Sequence, residues 1–240
     1  MLSLVIPCYN EALSLPSFIN KCDALISADV EIILVDNGSS DATHEILEPY
    51  AANDSGLRSV RVEVNNGYGA GILVGLEAAK GDVIGWTHAD LQTDPVDVLA
   101  ALALYRKSNN SSELFVKGNR TGRPIVDQFF TIGMSIFETI FMRTVMWDIN
   151  AQPTLMHRSL YSKWDNPPTD FSLDLYAYYQ AKNHRHEILR IPVHFGPRTF
   201  GDSHWNTGMV SRLRFIRRTL SYSWQLRKRV RAKEQSEEIG

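Results

Sequence analysis

The residues best equipped for chemistry lie in one short stretch, Gly85-Trp86-Thr87-His88-Ala89-Asp90-Leu91-Gln92-Thr93-Asp94-Pro95. The apolar run Asp82-Val83-Ile84 leads into it, and Pro95 opens a helix-compatible segment behind it. A buried strand that delivers Asp90 and Gln92 at its C-terminal end puts them where open α/β sheets bind ligands. These oxygen donors, with His88 beside them, can reach one divalent ion, Mg²⁺ or Mn²⁺. The same stretch also reads as a polar loop ending in a helix cap at Asp94. Two cations elsewhere, Arg120 and Arg198, are of the type that grips phosphate oxygens through a guanidinium fork.

Elements that would position these residues follow from the apolar pattern. Leu2–Ile6, Glu31–Asp36, Ser59–Val64, Val83–Thr87, Leu114–Gly118 and Glu187–His194 read as strands, and Asn150–Arg158 as a short strand or turn. Helices are expected at Leu13–Ile26, Ala42–Ala52, Tyr68–Ala79, Val96–Lys107, Phe129–Trp147 and Leu173–Lys182. Strands alternating with helices imply a mostly parallel sheet with helices on both faces. Asn65-Asn66-Gly67-Tyr68-Gly69-Ala70-Gly71 invites comparison with a dinucleotide fingerprint, but Ile72 stands where the third glycine belongs, and the run follows the third strand. A helix entry packed closely on the sheet explains these glycines better.

Composition narrows the class. A chain of 240 residues with 44% hydrophobic residues and a net charge of −2 suits a single globular domain, and excludes a strongly basic nucleic-acid binder. Cys8 and Cys22 have no metal-ligand spacing and read as packing residues of a reducing compartment. Met1 runs directly into the first strand without a basic leader, and charges interrupt the apolar run from Phe129 to Trp147, so a cytoplasmic location is expected. From Ser211 to Lys233 the chain is helix-compatible and basic, with Arg212, Arg214, Arg217, Arg218, Arg227, Lys228, Arg229 and Arg231 among Leu213, Phe215, Ile216, Leu220, Trp224 and Leu226. A basic amphipathic helix of this kind can lie peripherally on the inner face of an anionic membrane. The expected division is a domain over 1–210 and a basic helical tail over 211–240, with a homo-oligomer left open.

Five motifs in order carry a resemblance. They are Ile6-Pro7-Cys8-Tyr9-Asn10-Glu11, Val35-Asp36-Asn37-Gly38-Ser39-Ser40-Asp41, Asn66–Gly71 followed by Ala79-Lys80-Gly81-Asp82, His88-Ala89-Asp90-Leu91-Gln92, and Arg198-Thr199-Phe200-Gly201-Asp202-Ser203-His204. Together they resemble the family 2 inverting glycosyltransferases, in particular the dolichyl-phosphate mannose synthase branch. The resemblance implies a nucleotide-diphospho-sugar transferase fold of GT-A type, with a C-terminal amphipathic helical extension. It implies transfer of a sugar from a nucleotide-diphosphate donor to a polyprenyl phosphate or a growing cell-surface glycan.

By the same resemblance, Pro7, Tyr9, Glu11 and Asp36 line the nucleoside pocket, and Ala89, Asp90, Arg120, Arg198, Ser203 and His204 meet the donor. Asp90, Gln92 and His88 form the metal set, although His88 replaces a carboxylate and favours Mn²⁺ over Mg²⁺. Asp170 and Asp174 stand where the family has its acceptor-side acid. A sugar hydroxyl acceptor needs such a base, and a lipid phosphate does not. The loop Gly196–Trp205 is expected to act as a mobile donor lid. Two rivals stay open: a nucleotidyltransferase, which lacks its phosphate loop after the first strand here, and a degenerate glycosyltransferase acting as a binding protein.

Overall fold

Alternate residues of the first two strands feed two separate cores. In β1 (Leu2–Cys8), Leu2, Leu4, Ile6 and Cys8 face one side of the sheet and Val5 the other. In β2 (Val30–Asn37), Ile32 and Leu34 oppose Ile33 and Val35 in the same way. Both strands are buried on both faces, which is why they read as continuous apolar runs. The computed structural model describes residues 1–26, 29–51, 56–108, 111–198 and 216–230.

Seven strands form one sheet in the order β3-β2-β1-β4-β6-β5-β7, with β3 at Leu57–Val62, β4 at Val83–Trp86, β5 at Leu114–Thr121, β6 at Thr154–His157 and β7 at Glu187–His194. All neighbouring pairs are parallel except those of β6, which runs antiparallel to both β4 and β5. One core contains α1 (Leu15–Ile26), α2 (Thr43–Leu47) and α4 (Asp97–Lys107). The other contains α3 (Tyr68–Ala78), α6 (Arg158–Tyr161), α7 (Leu173–Asn183) and residues of α8 (216–230). Glu31, buried at the base of the sheet, accepts hydrogen bonds from Ser3, Arg58 and the Lys80 amide.

Several boundaries differ from expectation for local reasons. The second helix stops at Leu47 and continues as a 3₁₀ turn, Glu48–Tyr50, because Pro49 cannot donate into an α-helical ladder. The long apolar helix α5 is Ile125–Met142, beginning after Pro124 and ending where Arg143 turns left-handed at φ 55°. The expected tail is joined to the body where it is described. In α8, Tyr222 and Leu226 enter the second core, and Trp224 stacks on Phe141 at 6.0 Å. The proposed boundary at 210 lies outside the described residues.

Helix α5 buries its polar side. Ser135, Glu138 and Met142 are buried, whereas Ile125, Val126, Phe129, Ile136 and Ile140 are exposed, Phe129 by 71% and Ile140 by 72%. The inward polar groups all have work: Ser135 Oγ accepts from the Asp148 amide at 3.1 Å, and Thr139 Oγ1 accepts from the Met146 amide at 3.0 Å. Ser223 Oγ of α8 donates to Glu138 at 2.6 Å. By length and composition α5 could cross a membrane, yet its inward face is tied to the domain by these bonds.

Candidate active site

Two turns at the C-terminal ends of β1 and β2 hold each other. Asn10 adopts φ 55°, its Oδ1 accepts from the Ser40 amide at 2.9 Å, and its own amide donates to Ser39 Oγ at 3.1 Å. The Glu11 amide donates to Thr43 Oγ1 at 2.9 Å and that of Ala12 to Asp41 at 3.2 Å. The Ser and Asp residues after β2 thus splint the β1 turn, and Pro7, Tyr9 and Glu11 are presented on one wall of a cleft of about 270 Å³. Asp36 lies beneath that wall at 2% exposure, accepting from the Ser39 amide at 3.0 Å. Its Oδ2 is buried without a hydrogen bond and faces His44 at 3.5 Å, while Asn37 lines the cleft in its place.

The turn after β4 supplies the opposite lip. Leu91 sits at φ 57°, an uncommon conformation for a bulky side chain, with that side chain packed on the first core. The pinned turn places His88, Ala89, Asp90 and Gln92 in the cleft. Asp90 Oδ1 accepts from the Gln92 amide at 3.2 Å. Behind them rises an aromatic stack: His88 is 5.6 Å from Tyr68, and Tyr68 lies parallel to Phe171 at 4.6 Å. Burial, together with the charges of Asp174 and Asp90, pushes the Tyr68 phenol well above its ordinary pKa.

Asp174 forms the floor. Its Oδ1 accepts from Gln152 at 2.7 Å and from the Trp86 indole at 3.1 Å. Near it, Lys117 is fully buried and donates to Thr154 Oγ1 at 2.9 Å. Burial pulls its pKa down to about 8 against the opposing pull of Asp174. Arg120 reaches the cleft from β5 but gives its amide and its guanidinium to Asp148. Burial opposes the charge of Asp148, yet Arg120 outweighs it and holds the carboxyl below the usual range. Arg198 closes the rim with an ion pair to Glu11. Its loop begins firmly anchored, since the Phe195 amide donates to Thr121 at 2.9 Å and the Gly196 amide to Gln92 at 2.8 Å.

Asp170 is not brought into this cleft. Its Oδ1 accepts from the Ser172 amide at 2.9 Å, just ahead of α7, and its Oδ2 faces Arg218 of α8 at 3.4 Å. Ser203 and His204, with the rest of the expected lid beyond Arg198, lie outside the described residues. The glycines at the start of α3 serve packing: Gly67, at φ 111°, and Gly69 press against the backbone of residues 168–170, leaving no room for a Cβ. Cleft residues that the motifs did not single out include Asn150 and Phe195. They come from loops without periodicity, so only the fold reveals them.

Among the described residues, no three His, Cys, Asp or Glu side chains gather as a closed metal site. One carboxylate and one imidazole in an open cleft instead suit a divalent ion whose remaining ligands come from phosphate and water.

Residues 3–116 match the family model described as Glycosyl transferase family 2, so the part of the chain from β1 to the middle of β5 carries that family's pattern. Undecaprenyl-phosphate 4-deoxy-4-formamido-L-arabinose transferase of Aeromonas hydrophila is 41% identical over 104 residues, 41% of this chain and 31% of the relative. The same-named protein of Pseudomonas fluorescens is 39% identical over 122 residues, 49% of this chain and 36% of the relative. The chain therefore spans about a third of the length of these relatives. Among solved structures, glucosyl-3-phosphoglycerate synthase from Mycobacterium tuberculosis superposes with a TM-score of 0.69 at 19% identity, over 88% of this chain and 76% of that one. A second structure of that enzyme, holding Mn²⁺, uridine diphosphate and glucosyl-3-phosphoglycerate, gives 0.68 at 18% identity, over 95% and 79%. The fold is the GT-A type expected from the motifs.

Proposed function

We propose that this chain is an inverting glycosyltransferase that moves a sugar from a nucleotide-diphosphate donor to a polyprenyl phosphate at the cytoplasmic face of a membrane. Within family 2 we place it beside the dolichyl-phosphate mannose synthase branch. The observation that carries this reading is the junction of two cavities. The cleft of Tyr9, Glu11, Asp90 and Arg198 shares Arg120, Asn150 and Phe171 with an apolar groove lined by Phe130, Met134, Ile149 and Leu175. That groove runs along α5, whose other face is exposed and apolar. A polar donor site adjoining a small groove with apolar walls suits a lipid phosphate better than a glycan. The names of the sequence relatives support the same acceptor class.

In this reading Tyr9 and the splinted β1 turn receive the nucleoside. Asp90, with His88, would hold Mn²⁺ or Mg²⁺, which when bound neutralises charge on the departing diphosphate. Arg198, held over the cleft by Glu11, adds a fixed positive charge beside the same group. A phosphate oxygen of the lipid attacks the anomeric carbon as the bond to the nucleotide phosphate breaks, and inversion follows from attack on the opposite face. The acceptor is already an anion, so Asp174 need not take a proton. It holds Gln152 and Trp86 in place as the floor.

The direct test is transfer from a panel of nucleotide sugars to undecaprenyl phosphate with Mn²⁺ present. The expected product is a glycosyl phosphate lipid of inverted anomeric configuration. Sugar appearing only on glycan acceptors, or with retained configuration, would refute the proposal.

A further inference from the structure

At the far end of α7 from the cleft, three helices leave a second polar cavity of about 290 Å³. It is lined by Met142, Arg143 and Thr144 at the end of α5, Tyr179, Lys182 and Asn183 at the end of α7, and Arg227 of α8. Lys182 lies eight residues beyond Asp174 on α7, a rise of about 12 Å, so the two sites are separate. Among the described residues no carboxylate lines this cavity. Arg227 is only 8% exposed, and its Nε is buried without a hydrogen-bond partner. A buried guanidinium N–H left without an acceptor costs free energy, and an anion in the cavity would supply that acceptor.

The nearby groups do not supply it. Glu138, one turn before Met142, accepts from Ser223 through Oε1 and is pushed up to about 7 by burial. The C-terminal ends of α5 and α7 carry partial negative charge that favours cations nearby, yet Arg227 Nε reaches none of their carbonyls. Lys182 lies 5.9 Å from the Tyr178 ring, a cation–π contact that brings no negative charge into the cavity.

We propose that this cavity binds a phosphate group, clasped by Arg143, Lys182 and Arg227. The group can come from a free phosphate compound or from the headgroup of an anionic phospholipid. The second source fits the surroundings, because Ile140 and Val145 beside the cavity are 72% and 63% exposed.

Two measurements on the full chain test this. Wild type, Arg143→Gln/Lys182→Gln and the charge-matched control Arg106→Gln/Lys107→Gln are compared by thermal shift with inorganic phosphate. The same three proteins are sedimented with phosphatidylcholine vesicles with and without phosphatidylglycerol. The cavity variant is expected to lose part of the phosphate-induced rise in Tm, about tenfold of the phosphatidylglycerol preference, or both, and the control neither. Loss of the Tm response alone assigns a free phosphate, and loss of the vesicle preference alone assigns a lipid headgroup. Equal responses in all three proteins overturn the site. Arg227→Met gives an independent reading: removal of the unpaired buried N–H should raise Tm without phosphate and weaken the response to it. A lower Tm with an unchanged phosphate response would make Arg227 a packing residue and also overturn the proposal.

Discussion

His88 stands beside Asp90 where a second carboxylate would complete a hard-oxygen site for Mg²⁺. An imidazole offers one nitrogen and no negative charge, so His88→Asp should strengthen Mg²⁺-dependent binding of nucleoside diphosphate on the order of tenfold. Calorimetry showing equal or weaker Mg²⁺ dependence would remove His88 from the metal set. A different titration is stored in Glu138, whose carboxyl burial pushes up to about 7 despite the hydroxyl of Ser223. The folded protein keeps a proton there that the unfolded chain releases near its ordinary value of about 4.3. Its contribution to stability is full below that value and is lost as the pH rises through 7. Glu138→Gln keeps a partner for Ser223 without the charge, so its Tm should fall less than that of wild type between pH 5 and pH 8. Parallel Tm profiles would contradict this. Asp90, Tyr9 and Glu11 were legible in the sequence because each closes a strand within a recognisable motif. Asp148 and Ser223 were not, because each acquires its role from a partner far along the chain.

Strands β1, β2 and β4 and helix α3 could be read directly from apolar runs and spacing. The direction of β6 could not, since a four-residue strand has the same pattern either way round. Glycines before and within α3 were read as packing residues, and the structure gives each a neighbour. A Cβ on Gly75 would meet the side chains of Val5 and Val35 inside contact distance, both on the sheet. Gly75→Ala should therefore cost about 1–3 kcal/mol through overpacking. Gly133 in α5 has nothing within 4 Å of the same position. Gly133→Ala should stabilise by about 0.5–1 kcal/mol, the ordinary helix preference for alanine. Urea midpoints that shift in the same direction for both variants would contradict this assignment of the two helices. The apolar breadth of α5 was also visible in the sequence. That its polar side faces inward was not, because the burial of Ser135 and Glu138 depends on the loop 146–148 and on α8.

At the scale of the whole molecule, a polar cleft, an apolar groove and the exposed face of α5 adjoin one another. Phe129→Glu/Ile140→Glu should leave the fold unchanged, as both side chains are mostly exposed, and reduce sedimentation with lipid vesicles on the order of a hundredfold. Undiminished sedimentation would mean that α5 meets something other than lipid. The central claim, however, is that the cleft takes a nucleoside diphosphate through a metal held at Asp90. Its most direct test is calorimetric titration of a panel of nucleoside diphosphates into wild type and Asp90→Asn, with Mn²⁺ and with chelator. We expect at least one member to bind wild type only when Mn²⁺ is present, and to lose that binding in Asp90→Asn. Binding that persists unchanged in chelator and in Asp90→Asn, or no binding by any member, would contradict it.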